Sequence, residues 1–128
     1  MSFERSFTNT PWESKVGYCR SVKAGNMVFV TGTAPVDADG TTFAPGDAYQ
    51  QAKRCFSLIE AALLEHGASM SDVVRARMFV TDIKRWDEFG RVHYDVFASF
   101  PPATTMVEVK ALIDPDMLIE IEADAVLQ

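Results

Sequence analysis

Three acidic side chains, Glu120, Glu122 and Asp124, occupy alternate positions near the C-terminal end of the chain. Alternate residues of a β-strand point to the same face of a sheet, so the three carboxylates lie together, between the apolar Leu118 and Val126. A carboxylate in apolar surroundings can act as a general base, whereas an acidic row can also simply face water. We interpret Glu122 and Asp124 as a solvated face, and the spacing alone leaves the role of Glu120 open.

Composition argues against several classes of function. The chain has 128 residues, is 48% hydrophobic and carries a formal net charge of −6. One globular domain, 1–128, is expected at this size, and nucleic acid is disfavoured as a partner because phosphate binding depends on clustered Lys and Arg. Cys19 and Cys55 lack the spacing of a metal or disulfide site. The chain shows no signal-like or membrane-spanning stretch, which predicts a cytoplasmic protein without a membrane partner.

Hydrophobic periodicity predicts the element order β-β-β-α-β-α-β-β. The Gly25-Asn26 pair predicts a hairpin between two strands, and the apolar run 27–30 predicts a strand covered on both faces. Asp47 is a candidate N-cap for a helix that ends at Gly67, and His66 is interpreted as a cap of its last turn. The predicted strands cover residues 3–7, 18–24, 27–34, 73–81, 104–110 and 118–126, and the second helix covers 84–98.

Two helices and one sheet predict a two-layer α+β domain, with a mixed sheet and both helices on one face. The other face is then uncovered by this chain. We expect it to contain Arg75, Arg77, Phe79, Met106, Glu108 and Glu120. That mixture is too apolar for water and too charged for a core, so we predict that another copy of the chain covers it.

With these residues in view, the chain resembles the RidA/YjgF family of enamine and imine deaminases. The residues that carry the resemblance are 102–109, PATTMVEV, and 119–123, IEIEA. They are supported by 25–27, by the strand end at Thr31-Gly32, and by 79–82 before the second helix. The resemblance implies the two-layer fold already described, a homotrimer with a small-molecule cavity at each subunit interface, and no metal or organic cofactor.

The resemblance also implies roles for individual residues. Family members hydrolyse enamine or imine acids to 2-keto acids and ammonia, and a glutamate on the last strand orients or activates the attacking water. Glu120 stands at that catalytic position. Tyr18 and the strand end at Thr31 and Gly32 stand at positions that line the cavity, and the remaining candidate binding positions are Phe79, Gly90, Thr104 and Met106.

The chain departs from the family pattern at three of these positions. Thr104 replaces the arginine that binds the substrate carboxylate, Met106 replaces a cysteine, and Gly90 replaces an asparagine. A threonine hydroxyl cannot provide the charged two-pronged contact of a guanidinium. Arg75 or Arg77 could substitute for the lost charge, or could instead neutralise Glu108, Glu120 or Glu122 across the sheet.

Two functions of different classes fit this sequence. The first is hydrolytic deamination of a small enamine, imine or related metabolite, with Glu120 as the base. The second is a non-catalytic trimer that binds a small metabolite or acts as a chaperone-like regulator, which the missing arginine favours. RNA cleavage is least favoured, because the chain is acidic and the sequence shows no nucleophile–histidine pair.

Overall fold

The computed structural model describes residues 2–128, and its centre is a six-stranded sheet. The strands are β1 (Glu4–Ser6), β2 (Ser21–Ala24), β3 (Met27–Thr33), β4 (Val73–Val80), β5 (Ala103–Glu108) and β6 (Ile119–Val126). Their order across the sheet is β1-β2-β3-β6-β4-β5. Only β4 and β5 run parallel, and the other neighbours are antiparallel. The mixed α+β sheet is confirmed, and the elements follow the predicted order except for a short additional helix between β1 and β2.

The helices are α1 (Pro11–Val16), α2 (Ala48–Leu64) and α3 (Trp86–Phe97), with short 3₁₀ turns at Met70–Asp72 and Ile83–Arg85. The predicted N-cap of α2 is confirmed, since Asp47 accepts a hydrogen bond from the Gln50 amide at 3.0 Å. Helices α2 and α3 pack on one face of the sheet around a single core that includes Ile59, Phe89 and Ile121. Within residues 2–128, no helix is long and apolar enough to cross a bilayer.

The two closing strands are not neighbours. Strand β6 lies between β3 and β4, whereas β5 lies at the sheet edge, parallel to β4. A parallel pair needs a long crossover, and α3 supplies it. In this register Met106 lies beside Met78 and Glu108 lies beside Val80. Placing Met106 and Glu108 on the uncovered face was therefore wrong, because β5 follows the helix-covered face of β4 at these positions.

A β-bulge changes which side of β4 is buried at its start. Its register with β6 shifts between Val73 and Arg75, because a bulge adds one residue to one strand. As a result Val73 is buried and Val74 is 47% exposed, the reverse of the predicted assignment. Beyond the bulge Ala76, Met78 and Val80 face the helices as predicted.

The sheet face opposite helices α2 and α3 is left largely uncovered by residues 2–128. Met27 and Phe29 of β3 remain 37% and 40% exposed, so the run 27–30 is covered on one face only. Val107 of β5 adds another exposed apolar side chain, at 42%. Phe79 lies between β6 and β5, directly beside Glu120 and Val107, and is half-buried.

Helix α1 was missed because it has only six residues, and its two apolar side chains at helical spacing, Trp12 and Val16, are exposed rather than packed in the core. Proline occupies its first turn, and Gly17 ends it in the left-handed conformation at φ 92°. The buried Glu13 fixes its position, since its carboxylate accepts hydrogen bonds from the Thr8 and Asn9 amides, each at 3.1 Å through Oε1. This contact holds the N-terminal segment against the mouth of the cavity described below.

Candidate functional site

A cavity of about 740 Å³ lies at one end of the sheet. Its floor is formed by the ends of β3 and β6 and by the residues that precede β2. Residues 8–12 and Val16 form one wall, the loop 34–40 contributes another, and Ile113 and Met117 complete it. Four predicted site residues line it together: Tyr18, Thr31, Gly32 and Glu120.

Glu120 is the half-buried carboxylate of this cavity. Desolvation raises the pKa of its carboxyl group above the ordinary glutamate value, the positive charge of Arg20 opposes this rise, and Glu122 adds to it. A raised pKa brings a carboxylate closer to the range in which it can take a proton from water. The cavity thus holds one group with the properties of a general base.

Gly32 is required where it stands because the Glu120 side chain lies against it. A Cβ at position 32 would overlap Oε2 of Glu120 and would lie 3.2 Å from its Cδ. The β3–β6 register is irregular between Val30 and Thr33, as expected for a strand with an internal glycine. A glycine within a strand often marks a bulge or a close approach by another group, and both are found at Gly32.

Hydrogen bonds from neighbouring elements fix the floor of the cavity. Thr31 Oγ1 donates to the Cys19 carbonyl at 2.9 Å, which ties the end of β3 to the segment carrying Tyr18. The buried Gln51 of α2 accepts from the Leu118 amide at 2.8 Å and donates to the Asp116 carbonyl at 2.9 Å. These last two contacts hold the backbone immediately before Glu120.

An arginine that the sequence analysis missed also lines the cavity. Arg20 Nη2 donates to the Gly32 carbonyl at 2.9 Å, so the guanidinium and the Glu120 carboxylate flank the same glycine. The signal was present in the sequence, since Arg20 follows Tyr18 by two residues and alternate residues of an extended segment share a face.

The arginines proposed as substitutes lie elsewhere. Arg77 forms ion pairs with Glu122 at 3.2 Å and with Asp124 at 3.3 Å on the uncovered sheet face. Of the two alternatives for Arg77, neutralisation of a carboxylate across the sheet is the one observed, with Glu122 as a predicted partner and Asp124 as an additional one. Arg75 is exposed, and neither arginine lines the cavity.

The remaining predicted site residues do not line the cavity. Thr104 lies on the helix side of β5, where a hydrogen bond of 2.8 Å joins its Oγ1 to His93 Nε2. Gly90 lies next to Trp86 in α3, the helix that also carries His93. Met106 packs against the core. Phe79 lies beside Glu120 across the sheet and also does not line the cavity.

The structure contains hydroxyl–imidazole pairs that the sequence did not reveal. One joins Thr104 to His93, whose pKa is lowered by burial. The other joins Ser21 Oγ to His66 Nε2 at 2.8 Å, so His66 does not cap α2 as predicted. Ser21 is fully buried and cannot meet a ligand. This second pair instead attaches the end of α2 to the sheet.

Metal ligation has no candidate group in the part of the chain that is described. Among residues 2–128, no three His, Cys, Asp or Glu side chains cluster as metal ligands. The Cys55 thiol is fully buried, and burial raises its pKa further above the ordinary range. A buried thiol that stays protonated is a poor nucleophile.

Comparison with known proteins identifies the family. The family model described as Endoribonuclease L-PSP matches residues 8–127. An uncharacterized protein of Streptomyces coelicolor is 34% identical over 92% of this chain and 87% of its own length. A protein named 3-aminoacrylate deaminase RutC, from Acinetobacter baylyi, is 32% identical over 84% of this chain and 85% of its own.

Solved structures agree in fold. A Mycobacterium tuberculosis protein of the YjgF/YER057c/UK114 family superposes with a TM-score of 0.90 and 43% identity, covering 98% of this chain and 100% of its own. The YjgF gene product of Escherichia coli gives a TM-score of 0.82 and 28% identity over 97% and 94% of the two chains. The chain therefore belongs to the RidA/YjgF family.

Proposed function

We propose that this chain is a cytoplasmic single-domain hydrolase that deaminates enamines or imines of small metabolites at cavities between the subunits of a homotrimer. The observation that carries the proposal is Glu120, a half-buried carboxylate with a raised pKa beside Gly32 in a cavity of about 740 Å³. In this mechanism an enamine first tautomerises to the imine, and Glu120 takes a proton from a water molecule as its oxygen bonds to the C=N carbon. Glu120 then returns the proton to the nitrogen, the C–N bond breaks to release ammonia, and the new hydroxyl group loses its proton to become the keto group.

The distribution of the candidate residues supports a cavity shared between copies. Tyr18, Thr31 and Gly32 surround Glu120, whereas Thr104 and Gly90 lie at the edge formed by β5 and α3. A second copy that covers the exposed apolar face would bring its own edge residues to this cavity. The relative named 3-aminoacrylate deaminase, at 32% identity, supports the reaction class.

The proposal is tested by the lifetime of an imine in the presence of the protein. An amino-acid oxidase or a dehydratase generates the imine or enamine, and semicarbazide traps what has not been hydrolysed. We expect the protein to lower the yield of trapped semicarbazone in proportion to its concentration, compared with a heat-inactivated sample. An unchanged yield with imines of several amino acids would contradict deamination of this class.

Substitution of Gly32 should disturb the base without removing it. Gly32→Ala places a methyl group where Glu120 Oε2 lies, so the carboxylate must shift from its rotamer, at a cost of about 0.5–1.5 kcal/mol. If catalysis requires the carboxylate in its original position, this cost is added to the activation free energy. The value of kcat/KM then falls by up to about tenfold, since 1.36 kcal/mol corresponds to tenfold. Steady-state kinetics checks this, with the melting temperature as a control for folding. Unchanged kinetics would show that the observed position of the carboxylate is not required.

A non-catalytic binding function remains the second candidate, because Thr104 lacks the charge of the family arginine. It predicts that small keto acids, amides or aromatic acids raise the melting temperature without being consumed, since a ligand that binds the native state stabilises it. A thermal-shift screen combined with chemical analysis of the ligands separates the two functions. Turnover of any ligand that also shifts the melting temperature would favour the enzyme.

A further inference from the structure

Arg20 is the cationic side chain that lines the cavity containing Glu120. Its Nη2 donates to the carbonyl of Gly32, the residue against which the Glu120 carboxylate lies. The two charged groups therefore approach the same point of the cavity, Arg20 from the segment that precedes β2 and Glu120 from β6. Their charges interact, since Arg20 opposes the rise in the pKa of Glu120.

The guanidinium of Arg20 is incompletely paired within residues 2–128. Its Nε is buried without a hydrogen-bond partner, and Arg20 forms none of the ion pairs found in this part of the chain. Arginine presents five N–H donors and no acceptor, and buried donors without partners are costly. By contrast, Arg77 and Arg85 both pair with carboxylates.

The charges around the cavity indicate which anion would suit Arg20. Glu120 lies at the floor, and the exposed Asp37 and Asp39 belong to the loop that forms a wall. One cation surrounded by carboxylates suits a monoanion better than a phosphate dianion, because each additional negative charge is repelled by the acidic groups. A planar carboxylate also matches the fork of a guanidinium.

We propose that Arg20 binds the carboxylate of a small monoanionic acid in this cavity, and so determines the specificity of the site. The inference rests on the proposed function for the identity of the site. It adds the residue that binds the acid, an arginine of the same chain that provides Glu120 and at a different position from Thr104. The reacting carbon then lies between the guanidinium and the general base.

Binding of stable probes tests this inference separately from catalysis. Isothermal titration calorimetry compares 2-oxobutanoate, its neutral amide and inorganic phosphate on the wild type, Arg20→Met and Arg20→Lys. Arg5→Met is the matched control, since Arg5 is exposed on the edge strand and does not line the cavity. Circular dichroism and the melting temperature establish that each variant is folded.

We expect the wild type and Arg5→Met to bind the acid at least about tenfold more tightly than the amide or phosphate, given the strength of charge-assisted hydrogen bonds. Arg20→Met should lose this preference while its affinity for the amide changes less than about twofold. Arg20→Lys, which keeps the charge without the fork, should retain part of the preference and covers the case in which Arg20→Met does not fold.

Three results would overturn the inference: no binding of the acid by the wild type, equal affinity for acid and amide, or a preference that survives in Arg20→Met. Tight phosphate binding would contradict the monoanion selection. Failure of the deaminase proposal is distinguishable, because acid binding that depends on Arg20 can occur without any turnover of imines. Turnover of imine acids that is unaffected by Arg20→Met would support the deaminase proposal and contradict the role of Arg20.

Discussion

Glu120→Gln is expected to abolish imine hydrolysis while leaving the protein folded and its assembly unchanged. Glutamine has nearly the same shape but cannot accept the proton of the attacking water, and loss of a general base costs about 10²–10⁴-fold in rate. Semicarbazide trapping gives the rate, and light scattering gives the assembly state. Dissociation of the variant would instead identify Glu120 as a structural contact between subunits.

Glu122→Gln provides the matched control for this experiment. Glu122 is the next carboxylate on the same strand face, but it pairs with Arg77 and lies outside the cavity. We expect the activity of Glu122→Gln to stay within about threefold of the wild type, because an exposed ion pair contributes only about 0–1 kcal/mol to the free energy of folding. Equal losses in the two glutamine variants would contradict a specific role for Glu120.

The pH dependence of the wild type follows from the same group. Desolvation raises the pKa of Glu120 above 4.5, and Arg20 only partly offsets this. A general base acts when deprotonated, so activity should rise with pH through a midpoint above the ordinary glutamate pKa. The folded-state pKa lies above the unfolded value, so ionisation destabilises the fold as pH rises. The melting temperature of Glu120→Gln at neutral pH should therefore be no lower than that of the wild type.

Local patterns predicted which residues share a face, but not which face another element covers. Alternation correctly grouped Glu120, Glu122 and Asp124, and it correctly separated Ile121 from them. It failed for Met106 and Glu108, because the face of β5 depends on its register with β4. That register is set by the crossover through α3, which has no signature in the strand itself.

The candidate site was predictable only where backbone constraints were visible in the sequence. A glycine within a strand often marks a close approach, which is the case at Gly32, whereas Glu120 was identified through the family motif. Arg20 was overlooked because its significance arises from packing: two strand ends meet at Gly32, and the guanidinium is held there by one backbone carbonyl. The separation of Thr104 from Glu120 likewise follows from strand order, since β5 is an edge strand.

Thr104→Arg is expected to create or increase hydrolysis of imine acids. The side chain would extend from the sheet edge near His93, at the position that the family resemblance assigns to the carboxylate-binding arginine. His93 does not oppose the new charge near neutral pH, because burial lowers its pKa and keeps the imidazole neutral. Hydrogen bonds to charged groups contribute about 1.5–3 kcal/mol, so kcat/KM for imine acids should rise about 10- to 100-fold.

Thr104→Met separates the effect of charge from that of size, since it also removes the hydrogen bond to His93 but adds no donor. Its activity toward imine acids should not exceed that of the wild type. If Arg20 binds the substrate carboxylate, the arginine at position 104 should also restore acid binding to the Arg20→Met variant. An inert Thr104→Arg protein that is folded and assembled would mean that Gly90 and Met106 have reshaped the edge as well. The lost charge would then be only one part of the divergence from the family.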